Sequence, residues 1–162
     1  MGRGRRILRA DIEAMITVLG ERIAAIEAQI DEQMKDGHLA AEADRLTSAP
    51  GIGKVTALTL LAHMPELGRL SPKAAASLSG LAPFNDDSGK RYGRRRIKGG
   101  RPRVRKALYM AALGAIRAST RLRSFHEAVT ARTGSAKAGL IAVARKLITI
   151  LNAMQRDKSR FA

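Results

Sequence analysis

The sequence predicts an all-α fold, on three observations. Apolar residues recur at helical spacing through most of the chain, Gly- and Pro-bearing turns divide those stretches, and alternating runs of β-branched residues are nearly absent. With 162 residues the chain is long enough for one sizeable core plus an extension.

The first element is a long helix. Ile12, Ile16, Leu19, Ile23, Ile26 and Ile30 alternate steps of four and three, which keeps one apolar seam as in a coiled coil. From Asp11 to Pro50 nine acidic residues face three basic ones, a poor composition for contacting phosphates directly. The segment suits helix pairing: homo-oligomerisation through this helix, or an amphipathic helix folded back on its own domain. Residues 1–38 are therefore read as a coiled-coil-like helix for dimerisation or linkage, and 39–162 as the main domain. Gly37 and His38 should interrupt the helix. A short helix over 40–47 then leads into the turn Pro50-Gly51-Ile52-Gly53, and a second runs over 54–63.

Ser71 and Pro72 form an N-cap and first-turn pair for a helix ending at Gly80. Residues 81–100, rich in Gly, Pro and Asp, read as a basic loop with room for a short β-ribbon. Val104, Leu108, Ala111, Ala112, Ala115 and Ile116 then line one helical face, with small residues that let backbones approach. A short helix over 122–133 follows. Ser135 caps the last helix, whose stripe is Leu140, Ile141, Ala144, Leu147, Ile148, Leu151 and Met154.

Thirty Lys and Arg against fourteen Asp and Glu give a formal charge of +16, which attracts polyanions and makes nucleic acid the leading partner. An anionic membrane surface is the runner-up, but no uninterrupted apolar run approaches the roughly 18 residues of a membrane span, so integral membrane residence is not expected and no membrane is named as partner. The absence of Cys removes disulfides, thiolate metal sites and cysteine nucleophiles, and the Arg-rich start lacks the apolar run of a signal peptide. A cytoplasmic location is the expectation. His63 and His126 have no ligand set around them and receive no role.

The stretch from Leu46 to Ala57, centred on Pro50-Gly51-Ile52-Gly53-Lys54, resembles the helix-hairpin-helix element of many DNA-binding proteins. Gly51 and Gly53 permit positive φ and close backbone approach, so N–H groups at the next helix's start meet a phosphate, and Lys54 adds a charge. Ile52 should tuck inward, with Val55 and Ala57 packing the second helix. Such a turn reads backbone, not base sequence. The plainer alternative is a Gly-rich link between two helices.

The strongest asymmetry lies further on. From Ser88 to His126 there is no acidic residue but thirteen Lys and Arg. Ten of these fall between Lys90 and Lys106: Lys90, Arg91, Arg94, Arg95, Arg96, Lys98, Arg101, Arg103, Arg105 and Lys106. A one-sign cluster repels itself unless an anion offsets it. With two Tyr, three Phe and no Trp, stacking on single strands is not expected to dominate, and double-stranded DNA is the better target. At the mouth of the cluster, Ser88-Gly89 is ordinarily a turn. Beside so many cations it is also a candidate nucleophile toward phosphorus, since they would stabilise charge in the transition state. Asp86 and Asp87 more often shape a turn than assist a metal or a proton transfer.

In order, Pro-Gly-Ile-Gly, Gly80-Leu81-Ala82-Pro83, Ser88-Gly89, and Gly100 with Arg105 and Leu108 resemble the C-terminal domain of the IS110 and IS116 transposases, shared with Piv-type DNA invertases. The likeness covers 46–154. It implies DNA transposition or site-specific recombination, with Ser88 attacking a DNA phosphodiester to form a transient phosphoserine link. It also implies an RNase-H-like domain elsewhere whose DEDD tetrad binds Mg²⁺. Because some members take their target from a structured guide RNA, the resemblance admits one as a partner. No spaced acidic tetrad occurs in this sequence, so no cofactor is assigned to this chain and it is not expected to act alone. Two rivals stand beside this reading. A tyrosine recombinase using Tyr92 or Tyr109 lacks its His-x-x-Arg companions here. A non-catalytic DNA- or RNA-binding module would work with a separate catalytic domain.

Overall fold

Helices form where periodicity and capping residues coincide. The computed structural model describes residues 2–33, 37–84 and 96–162. Among these, seven helices run in order: α1 (Gly2–Gln33), α2 (Gly37–Thr47), α3 (Lys54–His63), α4 (Pro72–Leu78), α5 (Pro102–Ala118), α6 (Thr120–Thr133) and α7 (Ala136–Arg156). Between α4 and α5, β1 (Pro83–Phe84) pairs antiparallel with β2 (Arg96–Ile97) in a minimal ribbon. The chain divides into two compact units, Met1–Ala40 and Ala41–Ala162.

In the first unit, α1 carries its apolar seam exposed: Ile12, Ile16, Leu19, Ile23 and Ile26 are each more than half accessible. Gly37 and His38 were expected to interrupt the helix. They lie inside α2, because a helix's first residues tolerate glycine at little cost.

The second unit is built on α7, which packs against α4, α5 and α6, while α3 packs on α5. Leu147, Ile148 and Leu151 are fully buried, each stabilising the fold by roughly 1.5–3 kcal/mol. Val143 is buried in the stripe where Ile141 was expected; Ile141 lies half-exposed at the border of an apolar groove. At about 100° per residue the two lie on opposite borders of the stripe, and the helices packed against α7 select which border is covered. Small residues on α5 let its neighbours approach, with Ala111, Ala112 and Ala115 all buried.

Capping residues bound these helices, Ser71, Pro72 and Ser135 as the sequence implies. Ser71, Ser119 and Ser135 accept from the backbone N–H three residues on, Pro72 and Pro102 occupy first-turn positions, and Gly134 closes α6 in the left-handed region at φ 66°. Buried Asn152 stitches α7 to the turn before α4. Its Nδ2 donates to the Leu70 carbonyl (2.7 Å) and its Oδ1 accepts from the Gly68 N–H (2.9 Å). By length and composition α7 would serve as a membrane span, although no single uninterrupted apolar run is that long; half of the stretch is buried inside the protein. Leu, Ile and Val on its core face and Ala between them give it that character.

Candidate nucleic-acid interface

The hairpin between α2 and α3 begins with a tightening of the chain. Ser48 N–H reaches back to the Asp44 carbonyl, Ala49 N–H to Leu46 and Ile52 N–H to Ala49. Ile52 is buried, and Gly51 sits at φ 78°. A Cβ on Gly51 would lie 2.2 Å from the Ala111 carbonyl oxygen and 2.5 Å from the Ala115 nitrogen, both backbone atoms of α5. The close approach this glycine permits is thus made to a helix of its own chain. Gly114, on the same stretch of α5, receives it: a Cβ there would come within 3.2 Å of the Gly51 Cα.

Gly53 differs. It is exposed and extended at φ −91°, and nothing lies within 4 Å of a Cβ built on it. It is the N-cap of α3, with no side chain capping the helix, so the start of α3 opens onto solvent beside exposed Lys54. Val55, expected in the packing, is 71% exposed, because α3 turns Ala57 and Leu60 rather than Val55 toward the core.

The basic stretch separates into residues used by the fold and residues facing outward. Lys98, Arg103 and Lys106 are exposed. Arg101 is engaged: it donates to the His63 carbonyl (2.9 Å) and pairs with Glu66 (2.6 Å). The Arg101 hydrogen bond, followed by Glu66's own backbone N–H, holds the Glu66 carboxyl below the usual carboxylate range, and the same bond raises the Arg101 guanidinium. Arg105 donates to the Gly99 carbonyl at 2.7 Å. Arg96 takes part through its backbone in β2. Ser88, Lys90, Arg91, Arg94 and Arg95, with Asp86, Asp87 and Tyr92, lie outside the described residues.

No described helix has an acidic residue in its first turn, whereas Lys54, Lys73, Arg103, Arg121 and Lys137 occupy the starts of α3 to α7. A cation at that end opposes the helix dipole by roughly 0.3–1 kcal/mol. Repeated over five helices, the arrangement raises the positive potential at their N-termini, which is where an anion is best received. Among the described residues no three His, Asp or Glu side chains converge as a metal site.

Sequence reasoning missed the partners of Arg101 and Arg105 because their roles were assigned through charge alone. The signal available was Gly80 with Gly99-Gly100: Gly80, Gly100 and Arg105 stand in the family motif, but no contact among them was read from it. In the structure these glycines cross backbone to backbone beneath the ribbon.

The chain is similar to known proteins. The chain is 32% identical over 154 residues to the 43.6 kDa protein of insertion element IS110 from Streptomyces coelicolor, a match covering 93% of the chain and 37% of that protein. It is 30% identical over 156 residues to the 44.8 kDa protein of insertion element IS116 from Streptomyces clavuligerus, covering 95% of the chain and 38% of that protein. The chain thus spans less than two-fifths of the length of these relatives. Residues 43–127, which take in the α2–α3 hairpin, the ribbon and α5, match the transposase family IS116/IS110/IS902. The chain belongs to the IS116/IS110/IS902 family of transposases.

Proposed function

We propose that this chain is the DNA-gripping, strand-joining part of a transposase, holding duplex backbone with the α2–α3 hairpin and the basic stretch and supplying Ser88 as nucleophile. The observation that carries the reading is the pairing of a matched transposase family with an open, uncapped α3 start at Gly53 and Lys54. In this reading the hairpin acts as a helix-hairpin-helix element. The positive φ of Gly51 turns the chain so that α3 points its N–H groups outward, and Gly53 leaves room for a phosphate. Lys54, Lys98 and Arg103, with Lys90, Arg91, Arg94, Arg95 and Arg96, supply the counter-charge along the backbone.

The chemistry is a transesterification. The Ser88 Oγ–P bond forms as the phosphodiester's bond to one deoxyribose oxygen breaks, and the hydroxyl proton passes to the departing alkoxide. The number of phosphate esters is unchanged, so the joint is reversible without an energy source. Mg²⁺, a structured guide RNA and a helix-paired homo-oligomer through α1 belong to the same reading of the whole transposase. The exposed seam of α1 is consistent with such pairing.

The test is covalent trapping. A full-length transposase carrying this segment, incubated with its DNA ends and denatured, should yield protein–DNA adducts that Ser88→Ala abolishes. Adduct formation by Ser88→Ala at the wild-type level removes the serine from the mechanism. DNA binding without any adduct, in wild type and variant alike, favours the binding-module reading.

A further inference from the structure

The two ends of the 85–95 segment are held by an arrangement in which one arginine has a place unlike that of its neighbours. On the entering limb, Gly80 lies at φ 69°, two residues after α4 and three before β1. On the returning limb, Gly99 and Gly100 lie at φ 68° and 65°, between β2 and α5. The limbs cross at these glycines. A Cβ on Gly100 would meet the Gly80 nitrogen at 2.2 Å, and one on Gly80 would meet the Gly99 carbonyl oxygen at 2.5 Å. The Arg101 N–H then donates to the Leu78 carbonyl at 2.8 Å, tying the start of α5 to the end of α4.

Above this crossing the ribbon has only two residue pairs, Pro83 with Ile97 and Phe84 with Arg96. So short a ladder does not hold itself together in water, and consecutive left-handed glycines are the most permissive backbone available. Something must fix the crossing. Arg105 is mounted on the first turn of α5, where its N–H bonds to the Arg101 carbonyl, and its guanidinium donates to the Gly99 carbonyl at 2.7 Å. The same nitrogen lies 2.6 Å from where a Gly80 Cβ would stand. It therefore occupies the space that glycine at 80 leaves open.

We propose that Arg105 is a positioning residue: by bonding the Gly99 carbonyl across the face of Gly80 it locks the crossing and sets the spacing of the two limbs that carry residues 85–95. Within a run of cations it is set apart from phosphate binding. The inference deepens the strand-joining function above and takes from it only that residues 85–95 act on DNA. Displacing a reacting group by about 1 Å costs up to roughly a hundredfold in rate, with little effect on binding elsewhere.

The experiment is Arg105→Met, which keeps the stem and removes the donors, in a full-length transposase carrying this segment. The single-turnover joining rate at saturating DNA should fall by roughly ten- to a hundredfold, while DNA affinity and its salt dependence match wild type. Arg105→Lys, which keeps a donor, should recover part of the rate. Gly80→Ala should give the same defect, and the double variant should be no worse than either single one, because both open one clasp. In hydrogen exchange, the amides of residues 96–101 should lose protection in Arg105→Met while α7 keeps its own. Retained protection at 96–101 overturns the proposal. So does a salt slope shallower by about one with the rate restored at saturating DNA, the mark of a phosphate ligand. If Ser88→Ala still forms adducts, the serine reading fails, while exchange and salt slope continue to report on Arg105.

Discussion

Replacing Gly51 by alanine separates packing from binding at the hairpin. Two costs add. A residue with a Cβ pays about 1–2 kcal/mol to hold the left-handed conformation that Gly51 adopts at φ 78°. The new methyl would also stand 2.2 Å from the Ala111 oxygen and 2.5 Å from the Ala115 nitrogen, and helix backbone does not swing aside as a side chain does. Overpacking of this kind costs about 1–3 kcal/mol. The sum is roughly 2–5 kcal/mol, and at about 4 °C per kcal/mol for a unit of this size the melting temperature should fall by roughly 8–20 °C. The assay is calorimetric unfolding of Gly51→Ala beside Gly53→Ala. The second variant has extended backbone and open space, so it should lose no more than about 1 kcal/mol, through its cap position. If α3 receives a phosphate as proposed, the methyl should instead weaken DNA binding, because it would enter the open space at Gly53. A Gly51→Ala protein that melts within about 2 °C of wild type would show that the turn moves off α5 freely, and the packing argument would fall.

Two further outcomes follow from the described contacts. Asn152→Ala leaves the Gly68 N–H and the Leu70 carbonyl without their buried partner and should cost about 2–4 kcal/mol in urea unfolding. A loss under about 0.5 kcal/mol would mean that water replaces the amide at no cost. The Glu66–Arg101 pair makes stability pH-dependent on the acid side. Since the folded Glu66 carboxyl titrates below its ordinary range, its contribution is complete above that range and disappears as pH falls through the lowered value. Being partly exposed, the pair is worth at most about 1 kcal/mol. Glu66→Gln should remove that part of the acid dependence and leave the alkaline side unchanged; an unaltered acid profile would assign it to other carboxylates.

Much of the local structure was legible. Ser71 and Ser135 cap helices because their hydroxyls reach an N–H three residues away, a relation contained in a few consecutive residues; Ser119 caps α6 in the same way and was not read as a cap. The stripe of α7 was readable for the same reason, since i, i+3 and i+4 neighbours share a face. Where neighbours of other elements choose the face, reading was less sure. Val55 was expected to pack and is exposed, and Val143 took the core position expected of Ile141. At the hairpin, both glycines looked alike in sequence; α5, some sixty residues further on, distinguishes Gly51 from Gly53.

Composition and local spacing alone determined that this chain is helical, strongly cationic and divided by glycine turns, because propensity, capping and charge reside in single residues and their near neighbours. Only the tertiary structure decided which cations the protein keeps for itself. Arg101 meets Glu66 and the His63 carbonyl, and Arg105 meets the Gly99 carbonyl at a crossing that exists only once two limbs of a loop come together. A guanidinium's charge is present in any conformation, but its partner is supplied by the fold.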